Sequence, residues 1–413
     1  SGPDRITPPC PLHAAPGRTG EVCGGCDWQH LDYAAQLRHK TSIVRDCVER
    51  IAKLKDVPVL DTLASPSAWA YRNKVMVPFG RSEDGSEALR AGFYAAGSHR
   101  IVDFSACPVQ TELSVRIVLK VKALAAELGW RAWDERSGRG CLRHVFVRTN
   151  NSGRAMVTVV THGADLPKRD VFVTRLRADF PEITGIHHNI QPQKTSVILG
   201  PEWHCMWGAR YAEEKLGRFS FQVSPGAFLQ VNSGAAEKLY DATLAALSEG
   251  GRKFDTVLDL YCGVGTLTLW LTPAAGRVLG VEENRDAVRD AWKNAERNSV
   301  RNVRFSAGRA EAVLPRLFKE GLGRQCAAVV DPPRSGMTVP VLRALTNTAI
   351  RRIVYVSCNP ATFARDAGFL AHSGFSLVRV QPVDLFPQTS HVELVALLDR
   401  GPKDPEKTGP QGT

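Results

Sequence analysis

The apolar positions of the C-terminal half fall into short unbroken runs, each closed by a polar or glycine-rich turn. Thr256-Val257-Leu258-Asp259-Leu260, Arg277-Val278-Leu279-Gly280-Val281, Ala327-Ala328-Val329-Val330 and Ile353-Val354-Tyr355-Val356 are of this kind. Continuous β-branched runs of this length mark strands buried on both faces, as in a parallel sheet. Helical patterns alternate with them at 267–272, 287–298 and 361–370. The alternation predicts an α/β domain with a Rossmann-like, doubly wound sheet over 216–400. A last run, Val392-Glu393-Leu394-Val395-Ala396-Leu397-Leu398, is apolar on both faces except at Glu393.

Upstream the pattern changes. Residues 61–215 read as a central α/β domain. Two strand patterns, 71–79 and 89–94, flank Asp84-Gly85, and two more, 142–148 and 155–161, flank Asn150-Asn151-Ser152-Gly153. Both pairs predict hairpins or slightly longer turns. Helices are expected at 109–129 and 168–179, short strands at 185–189 and 196–199, and a further helix at 233–248. Residues 1–60 read as a cysteine-bearing loop followed by a helix over 27–53. Its apolar face is Leu31, Ala34, Leu37, Ile43, Val44, Cys47, Val48 and Ile51, and Arg38, His39, Lys40, Arg45, Arg50 and Lys53 make the rest basic. Residues 401–413 form a Pro/Gly/Lys tail expected to be disordered.

Composition narrows the class. The 413 residues are 43% hydrophobic and 23% charged, enough for two or three cored domains. No apolar stretch approaches the ~20 residues of a membrane span, and no signal peptide is visible behind Ser1. A cytoplasmic protein is expected. Fifty-three basic against 42 acidic residues, net +11, favour a polyanionic partner, usually nucleic acid. Ten unevenly spaced cysteines are too few for a disulfide scaffold and point to metal or catalytic use.

Four cysteines form one constellation. Cys23-Gly24-Gly25-Cys26 is a tight pair able to ligate one centre; Cys10 lies thirteen positions earlier, and Cys107 returns from eighty-one positions after Cys26. A three-plus-one thiolate set suits a [4Fe–4S] cluster, with a zinc knuckle, or a redox pair with two bystander cysteines, as the alternatives. Adjacent His187 and His188 point to opposite faces of a strand and do not share a metal.

Other residues suit chemistry. Cys358 stands where a buried strand gives way to Asn359-Pro360, the carboxyl edge at which open α/β sheets place ligands. It is a candidate nucleophile, or simply a packed thiol. Glu393 inside an apolar strand costs several kcal/mol unless paired or protonated, so it is either functional or paired with an arginine. The turn Asp259-Leu260-Tyr261-Cys262-Gly263-Val264-Gly265-Thr266, with Glu282 ending the next strand, is a nucleotide-binding βαβ unit. Thr268 breaks the dinucleotide fingerprint. Asp331-Pro332-Pro333-Arg334 fixes a carboxylate at another strand end. Gln230 and Asn232 lie on one face of an extended segment and should find a partner if buried.

Phe228-Leu229-Gln230-Val231-Asn232, Asp259 to Gly265, Asp331-Pro332-Pro333-Arg334, Ser357-Cys358-Asn359-Pro360-Ala361-Thr362 and His391-Val392-Glu393 resemble, in order and spacing, the RNA 5-methyluridine methyltransferases. The resemblance implies a class I S-adenosylmethionine-dependent methyltransferase domain. Gln230, Tyr261, Thr266, Glu282 and Arg309 would surround the cofactor, and Asp331 would stand between cofactor and substrate. Cys358 would add to C6 of a uracil and Glu393 would remove the C5 proton. Cys10, Cys23, Cys26 and Cys107 match the [4Fe–4S] ligands of the cluster-bearing members. The implied partner is structured RNA, ribosomal ahead of transfer RNA, with its target uridine flipped out, and the implied state is a monomer. Members often carry a small β-barrel RNA-binding domain before the first cysteine. Nine residues precede Cys10 here, so that module is missing or was removed, and the Cys10–Cys23 loop is longer than is common.

Three rivals remain. An RNA 5-methylcytosine enzyme would carry a cysteine where Asp331-Pro332-Pro333-Arg334 stands. A cluster-based electron-transfer protein leaves Cys358 and Glu393 unexplained. A non-catalytic RNA-binding scaffold would transfer no methyl group.

Overall fold

The structure, a computed structural model, describes residues 2–13, 21–82, 88–348 and 350–401. The turn at Asp84-Gly85 and the tail after Gly401 lie outside the described residues. Helix α1 (Tyr33–Arg50) starts six residues later than expected, because Asp32 caps it through a 3.0 Å bond from the Ala34 amide. Its buried face also differs. Ala34 and Ile51 are exposed, whereas Gln36, Lys40 and Thr41 are buried beside Val44 and Val48. Lys40 does not belong to a solvated basic face. Its ammonium donates to Asp384 Oδ1 at 2.6 Å and to the Phe386 carbonyl at 3.0 Å, with neither side chain of the ion pair reaching solvent.

The central sheet has seven strands: β1 (Lys74–Arg81), β2 (Leu89–Tyr94), β3 (Ile101–Asp103), β4 (Leu142–Thr149), β5 (Ala155–Thr161), β6 (Ile183–Ile190) and β7 (Glu202–Gly208). Their order is β3-β2-β1-β4-β5-β6-β7. Helices α2 (Glu112–Glu127) and α3 (Arg169–Asp179) pack on it through one shared apolar cluster. Both expected strand pairs form, β1 with β2 and β4 with β5, each antiparallel. The strand expected at 196–199 does not form. The Gln191 amide bonds the Val197 and Leu199 carbonyls and holds that segment as a loop, and the true edge strand is β7. His187 and His188 have separate partners, the Ala209 carbonyl and Thr161.

A two-stranded ribbon, β8 (Ala212–Leu216) with β9 (Phe219–Val223), and α4 (Ser233–Ser248) lead into the C-terminal sheet. Its strands are β10 (Phe254–Leu260), β11 (Ala275–Glu282), β12 (Val303–Ala307), β13 (Cys326–Val330), β14 (Arg352–Ser357), β15 (Phe375–Val383) and β16 (Glu393–Arg400). They lie in the order β12-β11-β10-β13-β14-β16-β15. The first five run parallel, while β16 runs antiparallel to both β14 and β15. The sheet thereby presents the ends of β10, β11, β13 and β14 and the start of β16 along one edge. One face packs on α4, α5 (Thr266–Trp270) and α6 (Arg285–Arg297). The other packs on α1, α7 (Ala310–Glu320), α8 (Val339–Thr346) and α9 (Pro360–His372). Helix α5 is a single turn, shorter than the 267–272 pattern, because Pro273 follows and a 3-10 turn at Thr272–Ala274 ends it. Among the described residues no helix is long and apolar enough to cross a membrane.

Replacing Asp384 with alanine strands a buried ammonium. The expected loss is about 3–5 kcal/mol of unfolding free energy, measured by denaturant titration, and the pair Lys40→Met with Asp384→Leu should recover most of it.

Candidate active site

The carboxyl edge of the C-terminal sheet opens into a cavity of about 950 Å³ that also reaches the central domain. Cys358 follows β14 and Glu393 begins β16. The two strands are neighbours with Ser357 opposite Leu394, so antiparallel pairing brings the end of one and the start of the other to the same wall. Asp331 follows β13 on the next strand over. Cys358, Glu393, Asp331, Gln230, Tyr261, Glu282 and Arg309 all line the cavity. Thr266 does not: its hydroxyl lies 3.2 Å from that of Tyr240 in the core. Asn232 also turns away, its amide donating to Ser65 and the Leu385 carbonyl while its oxygen caps α4.

The glycine turn is shaped for a ligand. Glu282 accepts the Gly263 amide at 3.1 Å and the Asn284 amide at 2.8 Å, which ties the ends of β10 and β11 together. Gly263 has φ +54, and a Cβ there would meet no atom within 4 Å, so the backbone itself faces open cavity. Tyr261 is held at φ 69, a costly conformation for a bulky side chain and one that concentrates at ligand sites.

A second, smaller cavity of about 50 Å³ is lined by Cys10, Cys23, Cys26 and Cys107 together, and Arg72 lines both cavities. The topology thus gathers the four dispersed cysteines. Among the described residues, however, no group of three or more potential ligands is arranged to hold a metal ion. The thiols receive donors: Gly25 N–H to Cys23 at 3.3 Å, the Gln29 side chain to Cys26, and the Val109 and Gln110 amides to Cys107.

The model of the tRNA (uracil-5-)-methyltransferase family matches residues 211–401. An RNA methyltransferase of Halalkalibacterium halodurans, itself uncharacterized, is 42% identical over 400 residues, 97% of this chain and 84% of that one. One from Gloeobacter violaceus is 39% identical over 401 residues, covering 97% and 84%. The chain belongs to the tRNA (uracil-5-)-methyltransferase family. Among solved structures, the Pyrococcus abyssi tRNA (uracil-54, C5)-methyltransferase bound to S-adenosyl-L-homocysteine superposes with a TM-score of 0.73 at 27% identity, covering 92% of this chain and 87% of its own. The protein is an S-adenosylmethionine-dependent RNA methyltransferase with the α/β fold of that class.

The methyltransferase cavity is electrically frustrated at its centre. Burial pushes the Glu393 carboxyl up to about 8, Asp331 adds to the rise, and Arg334 offsets it only in part. Burial alone lifts Asp331 to about 7. Cys358 is raised to about 11 by burial, then by Glu393 and Asp331. No ion pair to Glu393 forms among the described residues, so the arginine partner weighed for it is absent there. The lining carries both signs, with Glu282, Glu283 and Glu311 on the one hand and Arg72, Lys74, Arg309 and Arg334 on the other, and Arg309 pairs with Glu283 at 3.5 Å. Lys74 is drawn down to about 8 by burial and by Arg148 and Arg72, and its ammonium sits 5.4 Å from the ring of Phe228, which is 63% exposed.

Sequence reasoning assigned no role to Arg72, Lys74, Phe228, Arg334 or His391. The signal for the first two was present: Arg72 and Lys74 are two apart at the start of a strand, hence on one face. Nothing local says that this face meets a cavity owned by another sheet.

The raised Glu393 sets a sign for stability. The folded protein holds that proton more tightly than an unfolded chain does, so the stability present below pH 4.5 is lost as pH rises to about 8. Glu393→Gln should therefore melt at a higher temperature than the parent at pH 9 and at nearly the same temperature at pH 5, as read by calorimetry.

Proposed function

We propose that the protein methylates C5 of a specific uridine in structured RNA through a covalent Cys358 adduct, with Glu393 as the base. The observation that carries this is the pairing of Cys358 and Glu393 on adjacent strands at the edge shared with Asp331 and the glycine turn. Uracil C5 is a weak nucleophile. Addition of the Cys358 thiolate at C6 moves electron density to C5, which then forms the new carbon–carbon bond. S-adenosylmethionine would supply the electrophilic methyl, whose bond to the sulfonium sulfur breaks as the new bond forms, with S-adenosylhomocysteine as the leaving group. Glu393 takes the C5 proton, the C5–C6 double bond re-forms, and Cys358 leaves as thiolate.

In the empty site the thiol is protonated, since its value of about 11 lies well above neutrality. Activation belongs to the loaded site, where added positive charge beside Cys358, Asp331 and Glu393 favours their ionised forms, the last of which is the form that can accept the C5 proton. Gln230, Tyr261, Glu282 and Arg309 hold the cofactor end, and Thr266 contributes through the backbone of the turn. Asp331 faces the base edge. Arg72 and Lys74 meet the RNA backbone, and the target nucleotide leaves its stack to enter, which is cheapest in a loop. Ribosomal RNA is the first candidate from the family resemblance. Transfer RNA is the second, favoured by the substrate of the Pyrococcus enzyme. The protein works as a monomer in the cytoplasm.

Cys10, Cys23, Cys26 and Cys107 hold a [4Fe–4S] cluster in this reading. A single zinc ion needs its sulfurs converged at about 2.3 Å from one point, which the described residues do not offer. A polynuclear cluster spreads its thiolates around a volume, as the cavity of about 50 Å³ does, where a lone water needs roughly 10–15 Å³. The cluster moves no electron in the methylation; its contribution is structural.

Cys358→Ala should bind cofactor yet lose more than ~10³-fold in methylation, and Glu393→Gln should slow turnover by ~10²–10⁴-fold while a covalent RNA adduct accumulates on denaturing gels. Methylation of total RNA from cells lacking the enzyme, followed by mapping of the new 5-methyluridine, separates ribosomal from transfer RNA. Anaerobically purified protein should be brown and carry about four irons per chain; colourless protein with stoichiometric zinc would overturn the cluster.

A further inference from the structure

Two segments of the chain leave the cysteine cavity and end on the same short loop. The first follows Cys26 directly. Asp27 Oδ1 accepts the Ser390 amide at 2.9 Å, and the Trp28 amide donates to the Gln388 carbonyl at 3.0 Å. The second is tied to the residues after Cys107. The Ala70 and Arg72 amides donate to the Pro108 and Val109 carbonyls at 2.8 and 3.0 Å. From there Tyr71 Oη donates to the Pro387 carbonyl at 3.0 Å, and the Arg72 guanidinium lies 6.0 Å from the Phe386 ring. The gripped residues, 386–390, run straight into His391 and Glu393 on the cavity wall.

We propose that the four-cysteine centre is the anchor of the catalytic wall: through the Asp27–Trp28 and Tyr71–Arg72 segments it fixes residues 386–390 and so positions Glu393 opposite Cys358. This rests on the reading of Glu393 as the base and of the cysteines as one centre. Asp27 and Tyr71 are positioning residues, because neither lines the catalytic cavity. The arrangement explains how a centre that exchanges no electron with the substrate still controls the reaction. Cys26 and Cys107 are far apart in sequence, and joining them locks both arms at once. Cofactor binding, built on β10 and β11 at the other end of the cavity, is left alone.

Asp27→Ala, Asp27→Asn and chelator-treated parent protein test it by residue-resolved hydrogen exchange. Loss of the bound metal, and Asp27→Ala with its metal content intact, should each speed exchange of the Trp28 and Ser390 amides, the two donors of this grip, at least tenfold while β10 and β11 keep their protection. Asp27→Asn retains the accepting oxygen and should restore slow exchange. In turnover, Asp27→Ala should lower kcat and accumulate the RNA adduct with KM for S-adenosylmethionine unchanged. Unchanged protection of the Trp28 and Ser390 amides after metal loss, or a uniform loss of protection across both sheets, would overturn the anchor. Protein isolated without any metal would overturn the cluster reading, and Asp27→Ala exchange would still decide whether this grip holds the wall. Failure of Glu393→Gln to accumulate an adduct would overturn the base assignment and leave the exchange result standing.

Discussion

The fold depends on a lysine and an aspartate that meet with no water on either. Burial pulls the Lys40 ammonium towards its neutral form, and Asp384 pulls it back. Such a pair is poor value as stability, since two desolvated charges cost about as much as their attraction returns. What it provides is position. Asp384 Oδ1 also accepts the Phe386 amide, and Gln36 exchanges bonds with Gln388 a helical turn away from Lys40. The loop between β15 and β16 has no ladder of its own, so these side chains stand in for one. An N-terminal helix thereby becomes part of the wall of a C-terminal site.

The same substitution of polar contacts for regular structure recurs around the cavity. Glu282 closes a turn that glycine alone could not hold, Asn232 joins α4 to the segment after β15, and Asn73 binds the Gln230 carbonyl. Among the described residues, burial raises four carboxyls: Asp259 and Glu214 accept bonds from Thr268 and Asn151 away from the cavity, whereas Asp331 and Glu393 line it. Buried acidic groups that oppose their own charge at the wall of a cavity mark the place where a ligand acts on them.

Much of the C-terminal domain was legible in the sequence because its strands are continuous apolar runs and its chemistry sits at their ends. The runs before Glu282, Asp331 and Cys358 all proved to be parallel strands, and 233–248 is a helix over that range. Helix α1 was misread because periodicity weighs hydrophobicity alone, while its buried face is anchored by Gln36, Lys40 and Thr41. Helices α7 and α8 and strand β15 escaped notice, being short or broken by Pro315, Pro340 and polar residues. The edge strand β7 was missed for a related reason, as Trp203-His204-Cys205-Met206-Trp207 alternates weakly between faces. Most opaque were Arg72 and Lys74, which line the cavity only because the C-terminal sheet packs its edge against them.

The reversed direction of β16 has a consequence for how this enzyme can vary. The chain leaves Cys358, travels out along α9, turns at Ser373-Gly374, comes back along β15 and closes on Glu393. Length added at that outer bend only widens the circuit, since both ends stay pinned by the ladders. One residue added within β14 would instead flip every following side chain of that strand to the other face of the sheet, turning the Cys358 that follows it away from the site it serves. Divergence in this chain is therefore cheap thirteen residues of helix away from the sulfur and nearly forbidden beside it.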